Sequence, residues 1–356
     1  MLTHADVLIA LEASFPTDTA HSERFGVGLV AQYASPGLAL PAGRVQVFIP
    51  DCHLLAPPDL AVYPNNHFQL DAELLTLLEC LRQLKKDNRG ELLVWHMGDL
   101  FDIWRTRGGR GDQAEVDAIA AAYKVHIKLL TSSPPNGVRA RILAGNHDYM
   151  THELASWAAL RVGIIENQDP ALGDILVVHG DLFDWLEMAL PDQLQAFIVR
   201  AAKQVSAGQT ELLQEDRAIV ARVNQGMKPG DVPIGPEPSA LARARPALGV
   251  GPVVSVNVVD AAAAAKPPKF FDNAARLAIQ LKKHGHDIRT VVIGHTHHAR
   301  IVQGKRSDGK PLVLMDCGAW MGQCRLAPAD PWIWSAQLGV IAGAELRIYQ
   351  LGWKGA

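Results

Sequence analysis

Five times along this chain an apolar, strand-like run ends in a cluster of turn-forming and metal-ligating residues. VQVFIP leads into Asp51-Cys52-His53, and ELLVWHM into Gly98-Asp99-Leu100-Phe101-Asp102. ARILA leads into Gly145-Asn146-His147-Asp148, DILVV into His179-Gly180-Asp181, and TVVI into Gly294-His295-Thr296-His297. Each run reads as a buried strand handing over to a loop. Leucines at helical spacing mark a helix over 70–88, and further helices read over 113–131 and 270–285, with a shorter one over 152–162. Strands alternating with helices predict parallel βαβ units, and such sheets collect their ligands at the carboxyl ends of the strands. All five clusters stand there, so one shared site is expected.

The remaining segments are less regular. Residues 1–43 carry Pro and Gly breaks and no clear period, and read as an N-terminal extension with short strands, ahead of a domain spanning 44–356. Residues 184–225 read as a long helical insertion between two of the clusters, a cap. Residues 226–268, rich in Pro, Gly and Ala, read as a long surface loop. PLVLMDCGAW and GVIAGAELRIYQL look like closing strands of a second sheet, so the fold class is α/β, with two mixed sheets flanked by helices.

Of the 356 residues, 48% are hydrophobic and 20% charged, which fits an ordinary globular protein with a large core. The formal net charge of −3 provides no global field for nucleic acid and argues against it as a partner. No apolar run is long enough to be a transmembrane segment, and the first residues read as mature protein rather than as a signal peptide. Cys52, Cys80, Cys317 and Cys324 are scattered without a C-x-x-C pair, which fits unpaired thiols in a reducing cytoplasm.

Taken singly, each cluster has a plain explanation as an Asx-type turn or a hydrogen-bonded core histidine. Together they supply two Asp, one Asn and four His with ligand chemistry, and one further His, which suffices for two adjacent divalent cations. The donors are imidazole, carboxylate and carboxamide without thiolate. That set suits manganese foremost, with iron, zinc, cobalt or nickel as other fits, and suits neither calcium nor a structural zinc. A carboxylate between two cations sets their separation at about 3.5–4 Å, the arrangement for in-line attack on phosphorus.

In this order, D-x-H, G-D-x-x-D, G-N-H-D, H-G-D and G-H-x-H resemble the calcineurin-like metallophosphoesterase superfamily, over roughly residues 45–320. The resemblance implies a four-layer α/β/β/α sandwich and hydrolysis of a phosphoester or phosphoanhydride by a metal-bridging hydroxide. It implies that Asp51, His53 and His297 hold one metal, that Asn146, His179 and His295 hold the other, and that Asp99 bridges them. His147 would face the substrate as transition-state stabiliser or general acid, and Asp148 would orient its imidazole. His67, His96 and His298 match no ligand of the family and read as structural or surface residues.

FIPDCHL, GDLFDIW, the insertion after HGD and GHTHHARI also resemble the UDP-2,3-diacylglucosamine pyrophosphatases of lipid A synthesis. There a helical cap covers acyl chains, and a lipid substrate would imply peripheral membrane contact. Against this, the chain has His147 where that enzyme has Arg, and it is about a third longer. Arg105, Arg107 and Arg110 on a glycine-rich loop would clamp a second phosphate, which favours a small-molecule, nucleotide-type substrate. A nuclease, a protein phosphatase and a non-catalytic scaffold are rival readings of the same fold. The scaffold would have lost His147 or a ligand, and neither is missing.

Overall fold

The computed structural model describes residues 2–16, 26–34, 44–56, 70–88, 92–102, 112–145, 147–148, 163–166, 174–181, 183, 211–212, 269–283, 285–323, 333–343 and 345–351. Within them the chain runs α1 (His4–Ser14), β1 (Val27–Ala34), β2 (Val45–Ile49), α2 (Asp71–Asp87), β3 (Leu92–His96), α3 (Asp112–Ala122), α4 (Lys124–Thr131) and β4 (Arg141–Ile142). Then follow β5 (Gly163–Glu166), β6 (Asp174–Val178), β7 (Glu211–Leu212), α5 (Lys269–Lys282), β8 (Ile288–Ile293), β9 (Arg300–Lys305), β10 (Pro311–Asp316), β11 (Trp320–Gln323), β12 (Ile333–Ala342) and β13 (Glu345–Leu351).

Two mixed sheets result. The first has the order β1-β13-β12-β2-β3-β4, with β11 paired to β12; the second has the order β7-β5-β6-β8-β10-β9. Strands β2, β3 and β4 are parallel, as are β6, β8 and β10, while β12, β13 and β9 run antiparallel to their neighbours. The two-residue period of a strand sends alternate side chains to different layers. From β2, Val45, Val47 and Ile49 join one apolar cluster with Leu74, Leu77, Leu78 and Leu81 of α2, whereas Phe48 packs between the sheets with Trp95 and Val292. From β8, Val291 and Ile293 meet Ala274, Leu277 and Leu281 of α5, while Val292 faces the other sheet. The layers are therefore helix, sheet, sheet, helix, as expected.

The helices follow local chemistry. α2 places four leucines on one stripe, with Asp71 and Glu73 in its first turn and Lys85 and Lys86 in its last, matching its dipole. α1 starts at a reciprocal box: the Asp6 amide donates to Thr3 Oγ1 and the Thr3 amide to Asp6 Oδ2.

Several expectations change. The segment read as a short-stranded extension contains α1, which buries Val7 and Leu11 in the main cluster, and β1, which pairs with β13 along the edge of the first sheet. The expected single helix over 113–131 is two, divided at Tyr123. The β12–β13 hairpin belongs to the first sheet, not the second: β12 docks antiparallel on β2, pairing Gly339 with Phe48. β10 does lie in the second sheet. The expected helix over 152–162 and the loop over 226–268 lie outside the described residues, as does the insertion 184–225 apart from Glu211–Leu212, which is a strand. No helix among the described residues is long and apolar enough to cross a membrane.

Candidate metal centre

The parallel strands β2, β3, β4, β6 and β8 all end at one edge of the sandwich, and their exit loops are laced together there. Met97 N donates to Ile49 O (2.9 Å), His53 N to Asp99 O (2.8 Å), and Gly294 N to His179 O (2.8 Å). Asp51 forms a parallel bridge with Ala319, and its carbonyl accepts from Trp320 N at 2.7 Å. A Cβ on Gly145 would collide with Asp99 Oδ1, and one on Gly294 with Asp51 Oδ1. Glycine at these two positions lets backbone approach the carboxylates closely.

Of the five non-glycine residues with positive φ among the described residues, four are in these loops: His53 (51°), Asp99 (51°), His295 (68°) and His297 (58°). The left-handed region costs an ordinary residue on the order of 1 kcal/mol, and such strain gathers where a fixed side-chain direction matters.

The side chains converge. Asp51, His53 and His297 form one triad and Asp99, His179 and His295 another, the ligand-type atoms of each lying within 4.8 Å of one another. His297 Nε2 is 3.2 Å from Asp51 Oδ2 and 3.1 Å from His53 Nε2. Asp99 Oδ2 stands between the triads, 3.2 Å from His179 Nε2 and 3.7 Å from His53 Nε2. Asp51, His53, Asp99 and His179 are buried. The His179 ring is fixed from behind, with Nδ1 2.9 Å from the Met97 carbonyl. Burial alone would raise the Asp99 carboxyl, but the imidazoles of His179, His147 and His53 outweigh it and hold Asp99 well below the usual range. Burial opposes protonation of His179 in turn, yet Asp99 and Asp51 outweigh that and hold it well above an ordinary histidine.

His147 lies beside this pair of triads, its ring 4.6 Å from that of His53, and its amide donates to Asp99 Oδ1 at 2.8 Å. The carboxylate against its Nδ1, at 2.8 Å, is Asp102. That position was expected of Asp148. The Asp148 oxygens instead accept the amides of Gly145 (2.7 Å), Leu100 (2.8 Å) and Phe101 (3.3 Å), tying the β4 exit loop to the β3 exit loop. Burial and the Asp99 charge push the Asp148 carboxyl up to about 7 despite those amides. Asp102 stands in the G-D-x-x-D element of the sequence, and the motif is the signal that could have assigned it. His96 sits under the site in a fully buried position, its Nε2 3.4 Å from Cys52 Sγ, and desolvation lowers it to about 4, so it is a neutral structural residue. Asn146, Arg105, Arg107, Arg110 and His67 lie outside the described residues.

The residues fit divalent cations. The buried Asp51 Oδ1 accepts no hydrogen bond from the described residues. The donors are imidazole nitrogen and carboxylate oxygen, while the Cys52 thiol points to the Pro50 carbonyl. A family model of calcineurin-like phosphoesterases matches residues 47–299. The chain belongs to the calcineurin-like phosphoesterases. The match begins in β2 and ends just after His297, so it takes in every loop that supplies the two triads. No curated protein matches the chain. For this phosphoesterase, family and clusters together support a metal-dependent hydrolase acting on phosphoesters.

Proposed function

We propose that the chain hydrolyses a phosphoester or phosphoanhydride of small-molecule or nucleotide type at a binuclear centre. The observation that carries this is the placement of Asp99 Oδ2 between two His/Asp triads, with His147 alongside. In this reading Asp51, His53 and His297 hold one cation, His179 and His295 hold the second with Asn146, and Asp99 serves both. Two divalent cations bound there supply a nucleophile from water at neutral pH and a clamp on the phosphoryl oxygens. Manganese suits this donor set best, with iron, zinc, cobalt or nickel as alternatives.

The chain's own groups do the rest. Asp102, against Nδ1, orients the ring of His147 and pairs with its imidazolium form, whose Nε2 proton would pass to the departing alkoxide. Asp148 holds the loop that carries His147 by accepting three backbone amides. The buried free thiols Cys52, Cys80 and Cys317 support a reducing, cytoplasmic setting.

The test is turnover of p-nitrophenyl phosphate, its bis-ester, cyclic nucleotides, nucleoside diphosphate sugars and phosphopeptides by Mn²⁺-loaded protein, beside His147→Ala. Metal-dependent hydrolysis that the substitution removes is expected, and the preferred compound sorts monoester from diester from diphosphate. Two bound metals with no turnover of any compound would favour a binding scaffold instead.

A further inference from the structure

The loop after β8 delivers one ligand candidate to each triad, His295 and His297, with Thr296 between them. Its backbone holds two of the positive-φ residues of the site, His295 and His297. Thr296 N donates to Gly294 O at 2.8 Å, closing a three-residue γ-turn around His295 in its uncommon positive-φ form, and His297 follows at φ 58°. The exit loops of β2 and β3 hold each other through backbone bonds: His53 N to Asp99 O, Leu54 N to Leu100 O (2.9 Å) and Asp102 N to Leu54 O (3.0 Å). Beyond the backbone bond from Gly294 N to His179 O, the β8 loop leans on side chains. His295 N donates to Asp51 Oδ2 at 2.8 Å. Thr296 Oγ1 donates to Asp316 Oδ2 and accepts from His298 N at 3.2 Å, so one hydroxyl pins the loop on both sides of His297. Asp316 ends β10, fully buried, opposite Ile293 on one side and Arg300 on the other, and Arg300 Nε lies 3.4 Å from the same carboxylate oxygen. Neither Thr296 nor Asp316 belongs to a ligand triad.

We propose that Thr296 and Asp316 form a positioning clamp that holds His295 and His297 in their strained ligand conformation, so that both cation sites depend on one hydroxyl–carboxylate bond. This rests on the binuclear reading above. Partners behind a ligand fix its orientation, and removing one lowers metal affinity about 10–100-fold.

The test is calorimetric titration of Mn²⁺ into metal-free protein, with thermal unfolding of the metal-free forms alongside. Thr296→Val, which keeps the shape and removes the hydroxyl, should weaken Mn²⁺ binding about 10–100-fold. Thr296→Ser, which restores the hydroxyl, should bind close to wild type. Asp316→Ala should weaken binding similarly, and the double variant should be no weaker than the worse single one, since both break the same bond. Thr296→Ala serves if valine is not accommodated. Wild-type affinity in Thr296→Val, or equal loss in Thr296→Ser, overturns the clamp while leaving the metal centre standing. A wild-type protein that binds no Mn²⁺ overturns both.

Discussion

Strand β8 has a cluster of charge at each end, and the two are built on opposite principles. At its start Arg306, whose side chain is wholly buried, lies 2.8 Å from both Asp287 and Asp308 and donates to Ile288 O at 2.7 Å. Lys310 and Arg289 complete Asp287, and Lys282 completes Asp308. These carboxylates are satisfied by the chain's own cations. At the other end, the ion pairs of Asp51 and Asp99 among the described residues are with histidines alone. The first cluster contributes to stability by being complete. The second gathers buried anionic and lone-pair donors that favour an added cation, and a site suited to binding must be of this kind.

The largest effect that separates the two ends is expected from Asp99→Ala. Removing the carboxylate between the triads should abolish binding of both cations and reduce turnover to background. Metal analysis of the dialysed protein checks it, and an active variant without metal would break the comparison outright. Next, His147→Ala should retain both metals and lose about 10²–10⁴-fold in kcat. Asp102→Asn should lose less, because the ring remains while its orientation loosens. At the other end, Arg306→Met should leave Mn²⁺ binding unchanged and lower stability by about 2 kcal/mol, the order of a charged hydrogen bond lost, read from the urea midpoint.

The smallest effect concerns acid. Burial alone would raise Asp287, but Lys310, Arg306 and Arg289 outweigh it and hold it at about 2 rather than 3.8. A carboxyl depressed by folding contributes stability that is complete above its unfolded value and is lost as pH falls through its folded one. Urea midpoints should therefore fall between about pH 4 and 2, and less steeply in Arg306→Met.

Much of this was legible in the amino-acid order. Strands β2, β3, β6, β8 and β10 and helix α2 declare themselves through apolar runs and leucine spacing. Asp51, His53, Asp99, His147, His179, His295 and His297 all arrive at one edge of the sandwich because each follows a parallel strand. Helix α1 was not legible. Its buried face is His4, Val7 and Leu11, but Leu8, Ile9 and Ala10 are apolar too, so no stripe stands out. The sheet that takes β12 and β13 was misassigned, because alternation reveals a strand but not its partner. Neighbours in sequence also misled the assignment of the carboxylate beside His147. Asp148 is adjacent in the chain, yet its oxygens are taken up by backbone amides, and Asp102 comes from another strand's exit loop.

The order of the first sheet also bears on how the protein is made. β1 and β2 are synthesised well before β12 and β13, but the completed sheet separates them by the β12–β13 hairpin, and the His4 ring reaches a carbonyl 341 residues onward. A growing chain must keep a two-strand slot open, with unpaired edges on both sides, until its last described strands emerge. Contacts this distant slow folding, and open edges invite association with other chains. The hairpin and the β11 segment that joins Asp51 follow the ligand loops in the chain, so metal-binding competence is expected to appear only after those strands have emerged.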